Sequence, residues 1–372
     1  VKMILTALTE AKSPFWRSIK YSLFPPLGLA TLAAYLDPDD EVSICDDHVE
    51  MVSTDDAPDI VVIQAYITSA YRSYEIADLY RARGVHVCIG GLHATSMPQE
   101  AAEHADTVFI GPGEDTWPAF LADYRAGTPR GLYISARPTL DPMPFPRRDL
   151  IKRSLYLVPN SIVVSRGCPH RCGFCYQSSF YKSWPSVSTP SLDRVLAEIE
   201  SLPGRHLYFL DDNFFGNGAF ARRLMDGMRG MNRIWQAAGS VDAVLTPGMM
   251  DRASACGLRS LFVGFETLDD DNLANLHKCH NRNRDYGMAV RRMHDAGVMV
   301  NASFIFGMDA DGPDVFRRTV DWAVAQGVET ATFHILTPYP DTTLFRRMWA
   351  EGRITTLDWN RYDTRHAVFT PA

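Results

Sequence analysis

Short apolar runs alternate with amphipathic stretches along all 372 residues, and that alternation fixes the fold class before any motif is considered. Lys2–Leu8, Glu41–Cys45, Ile60–Tyr66, Val85–Gly90 and Thr107–Ile110 read as strands, with helical patterns at Leu27–Leu36, Ala70–Arg83, Pro98–His104 and Asp115–Arg125 between them. A stretch carrying Pro138, Pro142, Pro144, Pro146 and Pro159 interrupts the pattern. It resumes with strands at Ser161–Ser165, His206–Asp211, Gly239–Val244, Ser260–Phe265, Val298–Phe306 and Glu329–Leu336. Leu192, Val195, Leu196, Ile199 and Leu202 make a one-faced helical stripe, and Gly297 and Gly327 close two later helices. The class is α/β. Residues 1–130 read as a doubly wound, Rossmann-like domain, 131–160 as a linker, 161–345 as a partial (β/α)6 TIM-like barrel, and 346–372 as a C-terminal segment. Both architectures gather ligands at the C-terminal ends of their strands, so the loops found there carry the functional information.

The loop after the first barrel strand reads Ser165-Arg166-Gly167-Cys168-Pro169-His170-Arg171-Cys172-Gly173-Phe174-Cys175-Tyr176. Three thiolates at C-x3-C-x2-C can bind three irons of a cubane 4Fe–4S cluster and leave the fourth iron open. Two other readings stand beside it: most of a zinc site, with His170 as fourth ligand, or ordinary small core residues. The loop, including the aromatic Phe174 before the third cysteine, resembles the cluster loop of the radical S-adenosylmethionine (SAM) family. The resemblance implies that Cys168, Cys172 and Cys175 ligate a 4Fe–4S cluster whose open iron chelates SAM, and that SAM is cleaved to a 5′-deoxyadenosyl radical.

The strand-end loops of the first domain are Phe24-Pro25-Pro26-Leu27-Gly28-Leu29, Tyr66-Ile67-Thr68-Ser69, Gly90-Gly91-Leu92-His93-Ala94-Thr95 and Gly111-Pro112-Gly113-Glu114-Asp115-Thr116. Glycines after strands let backbone approach a bulky ligand, though one such loop alone is ordinary turn chemistry. Together they resemble the cobalamin-binding domain of one radical SAM subfamily. That implies a cobalamin site at Leu27, Tyr66, Thr68, Ser69, Gly91, His93, Thr95, Gly113 and Glu114, with Tyr66–Ser69 beneath the corrin and His93 positioning the corrin or its tail. Asp46-Asp47-His48-Val49-Glu50-Met51 begins like the cobalt-ligating D-x-H-x-x-G, but Met51 replaces the glycine and the segment follows the second strand. His48 therefore reads as a solvated strand-end residue.

The barrel's other strand ends resemble the same family. Phe209-Leu210-Asp211-Asp212-Asn213 stands where many members carry Gly-Gly-Glu, so Asp212 or Asn213 is the expected acceptor for the SAM ammonium. Glu266, in Val263-Gly264-Phe265-Glu266-Thr267, is expected near the SAM ribose or carboxylate, with a helix N-terminal role as the alternative. Ser303 and Phe306 lie on the apolar strand expected against adenine, and Thr337-Pro338-Tyr339-Pro340-Asp341-Thr342 resembles the subfamily's T-P-Y-P-G-T with Asp341 in place of glycine.

A net charge of −7 without a long basic run excludes nucleic acid as the main partner, and no apolar stretch reaches the roughly 18 residues of a membrane span. Seven cysteines, three of them in one loop and Cys45, Cys88, Cys256 and Cys279 scattered, do not make a disulfide framework, so a reducing cytoplasm is expected. The resemblance implies an enzyme that uses the cluster, SAM and cobalamin to methylate an unactivated carbon of a small molecule through the deoxyadenosyl radical and methylcobalamin. It also implies a reductase, ferredoxin or flavodoxin as electron donor. Radical cyclisation, oxidation or rearrangement on the same scaffold is the nearest alternative, and a non-catalytic corrinoid- or metal-binding protein the alternative of another class. Tyr176 and Tyr339 are the candidate substrate contacts; Tyr176, Phe180, Tyr181 and Trp184 read either as an aromatic-rich pocket or as a packed surface helix or loop.

Overall fold

The computed structural model describes residues 1–7, 23–136, 140–182 and 186–372, so Leu8, Pro138 and Trp184 lie outside the described residues. The first sheet is wholly parallel: β1 (Lys2–Leu5), β2 (Ser43–Asp46), β3 (Ile60–Gln64), β4 (His86–Gly90), β5 (Thr107–Ile110) and β6 (Leu132–Ile134), in the order β2-β1-β3-β4-β5-β6. Successive side chains leave a strand on opposite faces. Ile4, Val61, Ile63, Val87 and Ile89 enter one core, while Met3, Val62, Cys88 and Phe109 enter the other. Helices cover both faces, which is why the inner strands β1, β3, β4 and β5 are near-continuous apolar runs rather than alternating ones. Strand order reverses around β1, and that reversal opens a crevice at the C-terminal edge.

The strand β6 lies inside the stretch read as linker. Its flanking glycine and prolines hide a three-residue edge strand in which only Tyr133 is buried.

The second sheet runs in sequence order: β7 (Ser161–Ile162), β8 (His206–Phe209), β9 (Ile234–Gly239), β10 (Leu258–Glu266), β11 (Met299–Phe306) and β12 (Thr330–Ile335), each parallel to the next. This is an open barrel with β7 and β12 at its edges. Phe209, Trp235, Phe265 and Phe304 anchor its core. One expected strand is corrected. Gly239–Val244 is not a strand; β9 ends at Gly239 and Val241–Val244 is a helical turn. Val241 and Val244 are buried at i, i+3 spacing, a helical period, whereas Gln236 interrupts the apolar run of the true strand.

The C-terminal segment returns to the first unit. Trp359, Tyr362 and Val368 fill the core beside β3 and β4, and the Trp359 indole N–H donates to Glu100 at 3.1 Å. Among the described residues no helix is long and apolar enough to cross a membrane.

Candidate active site

Two adjoining cavities of about 670 and 170 Å³ lie where the C-terminal ends of the two sheets meet. Leu5, Asp46, Gln64, Tyr66 and Gly91 line the larger one from the first sheet; Val163, Ser165, Arg166, Leu210 and Asp212 line it from the second. The two walls are tied directly. Arg166, two residues before Cys168, donates from Nη2 to Glu114 Oε1 at 2.7 Å and from Nε at 3.1 Å. Burial works against the Arg166 charge, yet Glu114 more than offsets it and holds the guanidinium pKa above its ordinary value.

The cysteine loop starts from the two-residue β7 and turns at Gly167, whose φ is +88°. The Gly173 N–H donates to Leu276 O at 2.7 Å, and its carbonyl accepts from Leu344 N at 2.9 Å, so residues from two later βα units clamp the loop. Half-buried Phe174 packs into the cluster formed by Leu276, Met308, Leu336 and Leu344. Burial pushes the Cys172 thiol up to about 11 and that of Cys175 up to about 12. Cys88 and Cys256 are buried in the two units' cores, so the loop offers three sulfur donors and no fourth. That donor set fits a cubane cluster with one open iron. The His170 ring stacks on His280 with 3.5 Å between ring centroids.

The residues after β8 hold the loop from beneath. Asp211 accepts from Ser165 Oγ and from Val164 N, while Asp212 accepts from Gly167 N at 3.3 Å and from the Tyr176 hydroxyl at 3.0 Å. Asn213 is buried; its Nδ2 donates toward Cys168 Sγ at 3.7 Å and Ser240 Oγ at 3.4 Å, and its Oδ1 accepts from Phe215 N. Burial pushes the Asp211 carboxyl up to about 7, against bonds from Ser165 and Val164 that favour its charged form. Between the ordinary carboxylate range and about pH 7, the folded chain thus keeps a proton that the unfolded chain has released. Stability must therefore fall as pH rises through that window. Chemical denaturation at pH 5.5 and pH 8 is expected to show a loss of about 2 kcal/mol in the wild type and little in Asp211→Asn. A wild-type stability that rises over the same interval contradicts the assignment.

Glu266 ends β10 with φ +66° and accepts from Lys278 Nζ at 2.9 Å, both side chains at most a tenth exposed. Gly264 makes room for this pair, since a Cβ there would stand 2.3 Å from Glu266 Oε1. Burial opposes the Lys278 charge, but Glu266 and then Cys172 raise its pKa above the ordinary value. Ser303 is buried on β11 opposite Gly264. Phe306 stacks on Phe333 and tilts against Phe316.

On the first unit, Leu27, Tyr66, Thr68 and Gly91 line the larger cavity, and Gly91, Gly113 and Glu114 the smaller. Gly91 adopts φ +99°, and a Cβ there would meet the Ala65 carbonyl oxygen at 2.9 Å. Glycines line the smaller cavity at Gly28, Gly90, Gly91, Gly111 and Gly113, which lets a ligand approach the backbone closely there. Ser69, His93 and Thr95 do not reach either cavity. The Ser69 hydroxyl bonds Thr6 and Tyr66 N; Thr95 Oγ1 ties the Gly91 carbonyl to Gly111 N. His93 is fully buried, its Nε2 within 2.9 Å of the Tyr74 hydroxyl and 3.1 Å of Glu100. His48 is not a solvated residue: its side chain is 12% exposed, Nδ1 lies 2.8 Å from Asp46 Oδ1, and it lines the larger cavity. The short D-x-H spacing lets Asp46 draw the ring inward. Tyr176 and Tyr339 line the same cavity.

Arg166, Asp211 and Lys278 were missed in the sequence. Each acts through a partner in a different loop, and nothing local marks the pairing.

Residues 162–323 match the family described as the radical SAM superfamily, and residues 20–121 the B12 binding domain. The chain is 30% identical to bacteriochlorophyllide d C-12(1)-methyltransferase of Chlorobaculum tepidum over 84% of this chain and 70% of that protein. To the C-8(2)-methyltransferase of the same organism it is 27% identical, over 92% of this chain and 80% of the relative. The fold superposes on the radical S-adenosylmethionine methyltransferase TsrM of Kitasatospora setae, solved with cobalamin and a [4Fe-4S] cluster bound. The TM-score is 0.71 at 16% identity, covering 94% of this chain and 74% of that one.

Proposed function

The chain belongs to the radical SAM superfamily, in the branch that joins a B12-binding domain to the barrel, and on that premise we propose that it moves a methyl group from SAM, by way of cobalamin, to an unactivated carbon of a small molecule. The shared cavity carries this reading: glycines of the first unit line it on one side, and Ser165, Arg166 and Tyr176, the two ends of the three-cysteine loop, line it on the other. Membership brings a 4Fe–4S cluster, SAM and cobalamin as cofactors, and a need for an external one-electron donor. Bound, they supply a 5′-deoxyadenosyl radical and a methyl donor, which a carbon without an acidic proton requires because it cannot attack SAM as a nucleophile.

The chain's own residues position and seal. Cys168, Cys172 and Cys175 hold the cluster, and the Asn213 N–H directed at Cys168 Sγ tunes its potential. Asp212, braced by Gly167 N and Tyr176, presents a carboxylate at the cavity for an ammonium, while the Glu266–Lys278 pair offers one charge of each sign at the end of β10. Ser303 and Phe306 take the adenosine side. Arg166 and Glu114 tie the two walls together, so that ligands of both units would meet in one shared space. Tyr66 and Thr68, which line the larger cavity, would hold the corrin, with Ser69, His93 and Thr95 supporting the loops that carry the contacts. A ferredoxin or flavodoxin is the proposed electron source.

The glycines of the smaller cavity follow β1 (Gly28), β4 (Gly90, Gly91) and β5 (Gly111, Gly113), whereas His48 follows β2 at the sheet's flank, its Nδ1 held by Asp46. Cobalamin is therefore expected to bind with its own base displaced and no protein histidine on cobalt. Electron paramagnetic resonance of the bound cob(II)alamin should lack an axial-nitrogen triplet; a triplet that vanishes in His48→Ala contradicts this placement.

The reaction itself is tested by anaerobic turnover with methyl-labelled SAM and a small-molecule extract as substrate pool. Label in an organic product supports the proposal. Deoxyadenosine formed with an unlabelled product points instead to cyclisation or oxidation.

A further inference from the structure

We propose that His170, Asp242 and His280 form a second metal site, for a divalent first-row cation, on the flank of the cysteine loop. The site goes beyond the methyl-transfer reading and uses none of its ligands. The three residues come from three separate strand ends. His170 lies in the loop after β7, Asp242 in the turn Val241–Val244 after β9, and His280 in the 3-10 turn Cys279–Asn281 after β10. One donor atom from each lies within 4.8 Å of the other two, and among the described residues this is the group of His, Cys, Asp or Glu so arranged. Two imidazole nitrogens and a carboxylate oxygen are a donor set suited to zinc, ferrous iron and their neighbours.

Two further observations separate this cluster from an ordinary ion pair. His170 Nε2 and Asp242 Oδ1 stand 3.5 Å apart, close to the about 3.4 Å between ligand atoms on a tetrahedral cation with bonds near 2.1 Å. Both atoms are shielded from solvent and neither completes a hydrogen bond. Leaving both shielded and unsatisfied is costly, and a cation between them satisfies both at once. The rings stack in parallel, 9° between planes, with a nitrogen of each near the carboxylate, and one imidazole would turn about its side-chain torsions so that both in-plane lone pairs reach the same cation. All three residues are only partly buried, so an ion can enter from solvent. Such a cation would tie the cysteine loop to the ends of β9 and β10.

Zinc is the probe. Anaerobically reconstituted holoprotein, incubated with excess zinc and desalted, is expected to keep about one zinc per chain with its iron content unchanged. Asp242→Asn and His280→Ala, each separately, are expected to keep at least tenfold less zinc at wild-type iron content. Zinc should raise the unfolding temperature of the wild type and leave that of Asp242→Asn where it was. Zinc retained equally by wild type and both variants, zinc gained at the expense of iron, or no zinc retained at all overturns the proposal.

Discussion

Alanine in place of Cys168, Cys172 or Cys175 is expected to empty the loop of iron. Reconstituted wild type should carry about four irons per chain, and each single variant close to none, with deoxyadenosine formation lost in parallel. The effect is all-or-none because the loop holds three sulfur donors and no spare, with Cys88 and Cys256 packed into hydrophobic cores elsewhere. Burial keeps the thiols, at about 11 and 12, protonated at neutral pH, so a metal that binds them must displace their protons. Cys45→Ala and Cys279→Ala serve as controls and should keep wild-type iron. Iron retained in a loop variant would remove the basis for a three-cysteine cluster.

The second large effect is on stability. Lys278→Met leaves Glu266 with its charge in a site where both side chains are at most a tenth exposed. Removing one partner of such a pair costs about 3–5 kcal/mol, out of a total near 5–15 kcal/mol. Denaturant titration of the protein should show that loss. In the double variant Lys278→Met, Glu266→Gln most of it should return, since no buried charge is left unpaired. The pair sits beneath Gly264 and near Cys172, so Lys278→Met should also weaken SAM retention even where the chain remains folded. A loss below about 1 kcal/mol would mean that water reaches Glu266, and the pair would then have no structural role.

What could be read from the sequence follows from the range over which each feature is encoded. The inner strands of the first sheet are local apolar runs buried on both faces, and Ile60–Gln64 and Thr107–Ile110 stand almost where they were expected. The edge strand β6 and the polar-interrupted β9 escaped because their burial depends on neighbours rather than on their own pattern. The cysteine spacing is legible for the same local reason. Side-chain pairings are not. Arg166 meets Glu114 across 52 residues, and Ser165 meets Asp211 across 46. No periodicity records such distances. His93 shows the converse: its loop signature was clear, yet the side chain turns into the core because Tyr74, Glu100 and Trp359 surround it there.

The proposal that both cofactor systems act in one reaction rests on the facing walls of the cavity, and the fate of SAM tests it most directly. One SAM must give up its methyl group and another its adenosyl radical for each product formed. Anaerobic turnover should therefore yield S-adenosylhomocysteine, 5′-deoxyadenosine and methyl-labelled product in about equal amounts. Deoxyadenosine formed in step with product, but without matching S-adenosylhomocysteine and without label in the product, would contradict the account.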